Sequence, residues 1–288
     1  MLIIDSPIAC LKRFRRAIRL RLLCLKAMAQ RKLTDIEFFE FHCNICGHYA
    51  VAPLSAVSHR EIPSCFSCGS SKRLRSIIAA LSTELYGKII PLSNFVNSKE
   101  IIGVGLSDAA VYAPRVGTVF TYKNTYYHKE PRLDITSLPK DMENSADFVI
   151  ASDVFEHIPP PADIAFRNLF QMLKDKGICI FSVPFNNTGA TVEYYPELFE
   201  YEIVKEKGKC VLVNRTRQGT LQRFENPKFH GGPGATLEMR MYSRNSLIRD
   251  IEKARFTDIK IYEDSIPEFG ILNDRSDSSF VISMRKRR

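Results

Sequence analysis

The stretch from Asp147 to Phe185 decides the fold, and it reads DFVIASDVFEHIPPPADIAFRNLFQMLKDKGICIFSVPF. Its first apolar run, Phe148 to Ala151, is typical of a buried parallel strand. The run stops at a polar cluster that contains Ser152, Asp153, Glu156 and His157. Because open α/β sheets bind ligands at the carboxyl ends of their strands, this cluster is the first candidate site.

The rest of the stretch predicts a helix and a second strand. Pro159 to Pro161 can open a helix, and Gly177 can close it. Apolar residues follow the prolines at helical spacing: Phe166, Leu169, Phe170 and Leu173. Ile178 to Val183 then reads as a buried strand, so the stretch predicts a strand–helix–strand unit of an α/β protein.

Composition limits the size and the setting of the protein. The 288 residues, 45% of them hydrophobic, suffice for one α/β domain and a smaller module. No apolar run approaches the length of about 18 residues that a membrane span needs. The start, MLIID, shows no secretory signal, and we expect a reducing, cytoplasmic setting.

The net charge of +9 is concentrated near the N-terminus. Nine basic residues and no acid lie between Asp5 and Asp35: Lys12, Arg13, Arg15, Arg16, Arg19, Arg21, Lys26, Arg31 and Lys32. Apart from these nine of the 41 basic residues, basic and acidic residues are equal in number. A domain that tracks phosphates is expected to be basic, so nucleic acid is a less favoured partner.

The segment 7–32 also carries apolar residues at mostly helical spacing, which predicts a basic amphipathic helix. Docking on its own protein, with the basic face in solvent, is the favoured interpretation. The alternative is a helix that rests on an anionic membrane surface or an acidic protein, which would make the protein peripheral to a membrane.

Four of the eight cysteines form two CxxC pairs, Cys43 with Cys46 and Cys65 with Cys68. The spacing is typical of a zinc ribbon, because each CxxC turn points two sulfurs at one tetrahedral ion. Four thiolates close the coordination sphere, so the predicted zinc is structural. The alternative is a chance grouping of four reduced cysteines.

A helix over Ser70 to Leu85 and a linker over residues 87–97 are predicted to follow the ribbon. The strand-like segment Ile101 to Asp108 comes next and contains Gly103 and Gly105. Glycines after a strand let a nucleotide-like ligand approach the backbone. A third glycine is missing, which disfavours a dinucleotide.

Five motifs occur in one order between about Glu100 and Met284: GVGLSD, YKNTYYHKEPRLDIT, SDVFEHIPPP, KDKGICIFSVPF and KFHGGPGATLEMRMYS. In this order they resemble a class I S-adenosylmethionine (SAM) methyltransferase family. The preceding cysteine ribbon is similar to that of some members, including certain ribosomal-RNA guanine methyltransferases. The resemblance implies a Rossmann-like sheet of seven mostly parallel strands, with helices on both faces and the last strand antiparallel.

The resemblance also implies how SAM is bound. The first glycine loop would hold the methionine portion, Asp134 would end a short strand and cap the adenine, and the SDVFEH residues would line the methyl donor. The family's usual ribose-binding acid is missing, and Asn124 takes its place in our prediction. The predicted cofactor-binding residues are Gly103, Gly105, Asn124, Asp134, Ile135, Ser152 and Asp153.

Three residues are candidates for catalysis. His157 follows the strand end, and its ordinary pKa suits proton removal at neutral pH. His230 lies in the glycine-rich stretch KFHGGPG, and Glu193 follows the second strand in GATVEYYPELFEY. Together they suit a small or carbohydrate-like acceptor.

These observations predict three segments: a basic helix over 1–40, a zinc-ribbon module with its connecting helix over 41–86, and a methyltransferase domain over 87–288. The favoured function is SAM-dependent methyl transfer to a small or carbohydrate-like acceptor. The alternatives are a non-catalytic SAM-fold binding protein and an RNA methyltransferase that holds RNA with its ribbon and basic helix.

Overall fold

The computed structural model describes Leu22 and residues 36–232, 235–274 and 279–287. The predicted basic helix over 7–32 therefore lies outside the described residues, apart from Leu22. The described chain forms two compact units. The first contains residues up to Glu100 together with 109–122 and 262–274, and the second contains the remainder.

The strands, in chain order, are β1 (Phe38–His42), β2 (Tyr49–Pro53), β3 (Ser98–Leu106), β4 (Phe120–Thr125), β5 (Ala146–Ser152), β6 (Leu173–Ser182), β7 (Phe185–Asn186), β8 (Val192–Glu193), β9 (Glu200–Glu206), β10 (Lys209–Arg215), β11 (Leu221–Phe224), β12 (Phe229–His230), β13 (Thr236–Leu237), β14 (Arg240–Ser243), β15 (Phe256–Tyr262) and β16 (Val281–Lys286). The helices are α1 (Leu54–Ser58), α2 (Lys72–Tyr86), α3 (Ala113–Val119), α4 (Asp163–Met172) and α5 (Arg244–Lys253). Short 3-10 turns cover Leu92–Asn94, Lys140–Met142, Phe155–His157 and Pro267–Phe269. None of the helices in the described ranges is long and apolar enough to cross a membrane.

In the first unit, β1 and β2 form an antiparallel hairpin around the first CxxC pair. Helix α2 confirms the helix predicted after the ribbon, and it ends at Gly87, which takes a left-handed conformation with φ of 67°. Residues 87–97 are more than a linker, because Leu92 is buried and its N–H donates to the carbonyl of Asn44 at 2.7 Å. The segment therefore packs on the first CxxC turn.

The central sheet has six strands in the order β15-β16-β6-β5-β3-β4. Strand β5 pairs in parallel with both β3 and β6, and β16 runs antiparallel to β6. The predicted α/β class with a mostly parallel sheet is thus confirmed. The sheet of the described chain has one strand fewer than the seven expected.

Two boundaries near the deciding stretch differ from the prediction. Helix α4 ends at Met172, and Leu173 already belongs to β6. Gly177 therefore does not cap the helix. It lies inside β6, where a Cβ would come within 2.8 Å of the Lys174 carbonyl oxygen. Close backbone approach explains this glycine.

Aromatic packing fixes the turn that follows β5. The Phe155 side chain is fully buried, with its ring centroid 4.6 Å from that of Phe166 on α4 and 5.0 Å from that of Phe181 on β6. Offset and edge-to-face pairs of this kind add to the free energy of burial. The anchored ring holds the turn Phe155–His157 at the carboxyl end of β5.

Residues between β6 and α5 form a β-rich insertion that the sequence analysis did not predict. It contains the sheets β11-β10-β9 and β7-β14-β8 and the hairpin of β12 with β13. Alternating residues in YEIVKEKGKCVLVNR indicate the β9–β10 hairpin. Lys207 and Gly208 form its turn, both with positive φ, as a type I′ turn requires.

Gly103 is a packing position, and its substitution tests the register of the sheet. A Cβ at Gly103 would lie 2.2 Å from the ring of Phe148 on the neighbouring strand. We expect Gly103→Ala to lower the free energy of unfolding by roughly 2 kcal/mol, measured by urea denaturation. The control is Gly117→Ala in α3, where nothing lies within 4 Å of the added carbon. Equal effects of the two substitutions would contradict the β3–β5 pairing.

Candidate functional site

The carboxyl ends of β5 and β6 are joined by a small polar network. The hydroxyl oxygens of Ser152 and Ser182 lie 2.8 Å apart, and the Ser182 hydroxyl donates to Asp153 Oδ1 at 3.2 Å. The Asp153 N–H donates to the Ser182 carbonyl at 2.8 Å, and Asp153 has φ of 54°. The network holds the predicted residues Ser152 and Asp153 at this edge. Ser182, which the prediction missed, ends the second strand of the deciding stretch.

The chain bends sharply after β3. Ser107, two residues after Gly105, takes the left-handed conformation with φ of 59°, and its N–H donates to the Thr125 carbonyl at 2.8 Å. Of the two predicted glycines, Gly103 packs against the Phe148 ring. Gly105 lies opposite Ile150 in the ladder. Gly103 is therefore needed for packing within the sheet.

Asn124, the predicted ribose-binding residue, clamps the loop after β3. Its Oδ1 accepts from the Asp108 N–H at 2.9 Å, and its Nδ2 donates to the Asp108 carbonyl at 3.0 Å. A further bond from Nδ2 reaches the hydroxyl of Tyr126 at 3.1 Å. The amide thus fixes the backbone of Asp108, a buried carboxylate that the sequence analysis left out of the site.

Asp134 lies in a turn, and the prediction that a short strand ends there is wrong. The Asp134 Oδ1 accepts from the N–H and the hydroxyl of Thr136 at 2.9 and 2.7 Å. Only an isolated bridge joins Tyr126 and Arg132 ahead of it. The next residue, Ile135, is buried, so it contributes to the core below this turn.

Glu156, His157 and His230 lie together, although about 70 residues separate the two histidines. The rings of His157 and His230 are edge to face, with centroids 5.5 Å apart. Nε2 of His157 lies 3.7 Å from Oε1 of Glu156, and one ligand atom from each of the three side chains lies within 4.8 Å of the others. Glu156 is buried, and the sequence analysis placed it in the SDVFEH stretch without proposing it as a catalytic or metal-binding residue.

Both imidazoles are oriented through their Nδ1 atoms. Nδ1 of His157 lies 2.9 Å from the Leu237 carbonyl, and Nδ1 of His230 lies 3.5 Å from Oε1 of Glu238. Burial lowers the pKa of His157, while its hydrogen bond to Leu237 raises it and His230 lowers it further. An Nδ1–H that donates to a carbonyl leaves Nε2 of His157 with a free lone pair.

Glu193, the third predicted catalytic residue, is held apart from the two histidines by an ion pair. Its Oε1 accepts from Nε of Arg240 at 2.6 Å, and the Arg240 side chain is 1% exposed. The same guanidinium donates to the carbonyls of Phe155 and Ile158 at 2.9 and 2.7 Å. Arg240 therefore supports the turn that carries His157, a role that the sequence analysis missed.

In the other unit, the four predicted metal ligands converge. The sulfurs of Cys43 and Cys68 are 3.6 Å apart, and those of Cys46 and Cys65 are 3.7 Å apart. Sulfurs about 2.3 Å from a tetrahedral zinc ion would be about 3.8 Å from one another. The carbonyls of Cys43 and Cys65 each accept, at 2.8 Å, from the glycine N–H that follows the CxxC pair. The two turns therefore have the same knuckle geometry.

A buried arginine faces this cysteine cluster. Arg75 donates to the Ser70 hydroxyl at 3.3 Å, and that hydroxyl lies 3.3 Å from the Cys43 sulfur. Arg75 also donates to the Gly270 carbonyl and stacks on Phe41 at 4.5 Å. Burial lowers the pKa of Arg75, and the four cysteines act in the opposite direction. The buried cation suits a cluster with a net negative charge.

A family model described as a methyltransferase domain matches residues 90–260, more than half of the chain. No curated protein matches the sequence. Among solved structures, the chain is similar to the 1,6-didemethyltoxoflavin-N1-methyltransferase of Burkholderia thailandensis, with 11% identity, 65% of this chain and 71% of that chain covered, and a TM-score of 0.38. It is also similar to a putative S-adenosylmethionine dependent methyltransferase from Listeria monocytogenes, with 13% identity, 67% and 91% covered, and a TM-score of 0.41.

Arg240 is predicted to stabilise the site through its buried hydrogen bonds. We expect Arg240→Met to lower the free energy of unfolding by about 3 kcal/mol, because two carbonyls and the Glu193 carboxylate lose their donor. Urea denaturation measures the change. The control is Arg223→Met, which removes two exposed ion pairs, to Glu206 and Glu225, and should barely move the midpoint. A similar loss in both variants would contradict the proposed support.

Proposed function

Because this chain belongs to the family of methyltransferase domains, we propose that it transfers a methyl group from SAM to a small polar acceptor. The observation that supports this proposal best is the meeting of two parts of the chain at one site. The strand end with Asp153 and His157 carries the donor side, and His230 from the insertion adds an acceptor side. A non-catalytic protein that only binds SAM would not need polar groups on an acceptor side.

The residues at the strand ends fit the cofactor by their chemistry. SAM supplies a methyl group bound to a positively charged sulfonium. A nearby carboxylate stabilises a cation. Asp153 provides one directly after β5, and Asp134 provides another in a turn that precedes β5 in the chain. We assign SAM to the loop that follows Gly105 and to Asp134, Ser152 and Asp153. Asn124 would shape this site by holding Asp108 in place.

On the acceptor side, the residues of this chain have to align the nucleophile and exclude water. We assign His157 and His230 to binding the nucleophilic group of the acceptor, which loses a proton in the reaction. Tyr194 adds an aromatic side chain near Glu238; burial raises the pKa of this tyrosine, and Glu238 raises it further. We place Glu193 in a positioning role, because it acts through Arg240. A mixed polar and aromatic surface suits a small acceptor with hydroxyl groups.

We also propose that Cys43, Cys46, Cys65 and Cys68 hold one structural zinc ion. Four thiolates and one Zn²⁺ carry a net charge of about −2, which Arg75 partly offsets. With its coordination sphere closed by cysteine, the ion would stabilise the hairpin β1–β2 and the second CxxC turn and take no part in methyl transfer.

The donor side can be tested by calorimetric titration with SAM. We expect Asp153→Asn to bind SAM about tenfold more weakly, because a carboxylate near the sulfonium is lost. Asparagine tolerates the left-handed conformation of this position, so the turn should be kept. The control is Asp163→Asn, an exposed change at the start of α4.

The same titration separates an enzyme from a non-catalytic protein of this fold. If the unmodified protein does not bind SAM at submillimolar concentration, the proposed activity is wrong. If it binds SAM and Asp153→Asn binds equally well, the assignment of Asp153 is wrong and the activity stands.

Zinc content tests the cysteine assignment. We expect one zinc ion per chain by metal analysis, and loss of that ion in Cys43→Ser and Cys65→Ser. Cys210→Ser is the control, since Cys210 lies outside the cluster and should leave the zinc content unchanged. Full zinc retention in the Cys43 and Cys65 variants would exclude this site.

A further inference from the structure

We propose that Glu156, His157 and His230 bind a second metal ion, a divalent first-row transition metal that is distinct from the ribbon zinc. Two imidazoles and one carboxylate form a donor set that suits such ions. The three side chains offer ligand atoms within 4.8 Å of one another. Three protein ligands leave positions open for a further ligand, in contrast to the four cysteines of the ribbon.

The distance between the ligand atoms of Glu156 and His157 fits a single ion. Nε2 of His157 and Oε1 of Glu156 are 3.7 Å apart. An ion about 2.1 Å from each atom would make an angle of roughly 120° between them, within the range of tetrahedral and trigonal sites. His230 completes the set from the β12–β13 hairpin, with its ring centroid 5.5 Å from that of His157.

The surroundings of the two histidines match those of metal ligands. A ligating imidazole usually binds the metal through one nitrogen and a carbonyl or carboxylate through the other. His157 has the Leu237 carbonyl 2.9 Å from Nδ1, and His230 has the Glu238 carboxylate 3.5 Å from Nδ1. For His157 this leaves Nε2, the atom 3.7 Å from Oε1 of Glu156, to bind an ion.

Charge favours an ion at the same place. Glu156 is 1% exposed, and the carboxylates of Glu238 and Asp153 both act electrostatically on His157. The guanidinium of Arg240 is directed to Glu193 and to the carbonyls of Phe155 and Ile158. A divalent cation would offset the negative charge that these three carboxylates concentrate around two imidazoles.

This site narrows the acceptor, a consequence that rests on the proposed function. An acceptor hydroxyl that occupied an open position of the ion would release its proton to water more readily, so no imidazole would have to serve as the base. His157 and His230 would then act as ligands. The open positions suit an acceptor that offers two neighbouring oxygen atoms, such as a vicinal diol, over one with a single isolated nucleophile.

Cobalt binding tests the site without SAM or acceptor. Full-length protein that carries one zinc ion per chain is dialysed against micromolar Co²⁺, and both metals are then counted. We expect one zinc and one cobalt per chain, with no thiolate-to-cobalt charge-transfer absorption, because the cysteines keep their zinc. His230→Ala and Glu156→Gln should each weaken cobalt binding by about tenfold or more.

His128→Ala is the matched control, since His128 is exposed and lies outside the cluster. It should bind cobalt like the unmodified protein. The proposal is overturned if the unmodified protein binds no cobalt beyond the ribbon, or if both ligand variants retain full affinity. SAM titration of His230→Ala, whose half-exposed side chain should leave folding intact, keeps a failure of the metal site distinct from a failure of the proposed function.

Discussion

The parallel pairing of β5 with both β3 and β6 is the constraint on which the site depends. Parallel strands end at the same edge, so the pairing brings three chain reversals together. Gly103 permits this register, because it leaves room for the Phe148 ring. The polar residues after each strand are therefore neighbours in space. The order of the strands places these side chains close together. The bends at Ser107 and Asp153, both with positive φ, set their orientations.

A second level of organisation comes from the insertion between β6 and α5. Arg240 on β14 reaches the carbonyls of Phe155 and Ile158, and the Met239 N–H donates to the Glu156 carbonyl at 2.7 Å. The inserted strands thus hold the turn after β5 by backbone hydrogen bonds. Because His230 belongs to the same insertion, one structural element supports the turn after β5 and supplies a histidine to the cluster with Glu156 and His157.

The sequence predicted the strand ends well and the packing between distant segments poorly. Strand β5 and the four cysteines were identified because their patterns are local: an apolar run with a polar end, and a fixed ligand spacing. The clamp of Asn124 on Asp108 and the ion pair of Arg240 with Glu193 are not local, and no periodicity reports them. The expected helix cap at Gly177 failed for a related reason. The glycine is needed by the close approach of the Lys174 carbonyl within β6, and sequence alone does not distinguish that need from a cap.

The same reasoning explains why Glu156 was placed in the polar cluster but was given no role as a catalytic residue or ligand. It stands beside His157 in the sequence, but an acid next to a histidine is common, and its buried position follows only from the anchored Phe155 ring. Once the turn is fixed, Glu156 is directed inward and meets a histidine from the far hairpin. Burial of a carboxylate between imidazoles is costly unless a cation or a proton compensates it. The buried carboxylate and the two imidazoles thus form one cluster from two segments that are brought together only by the fold.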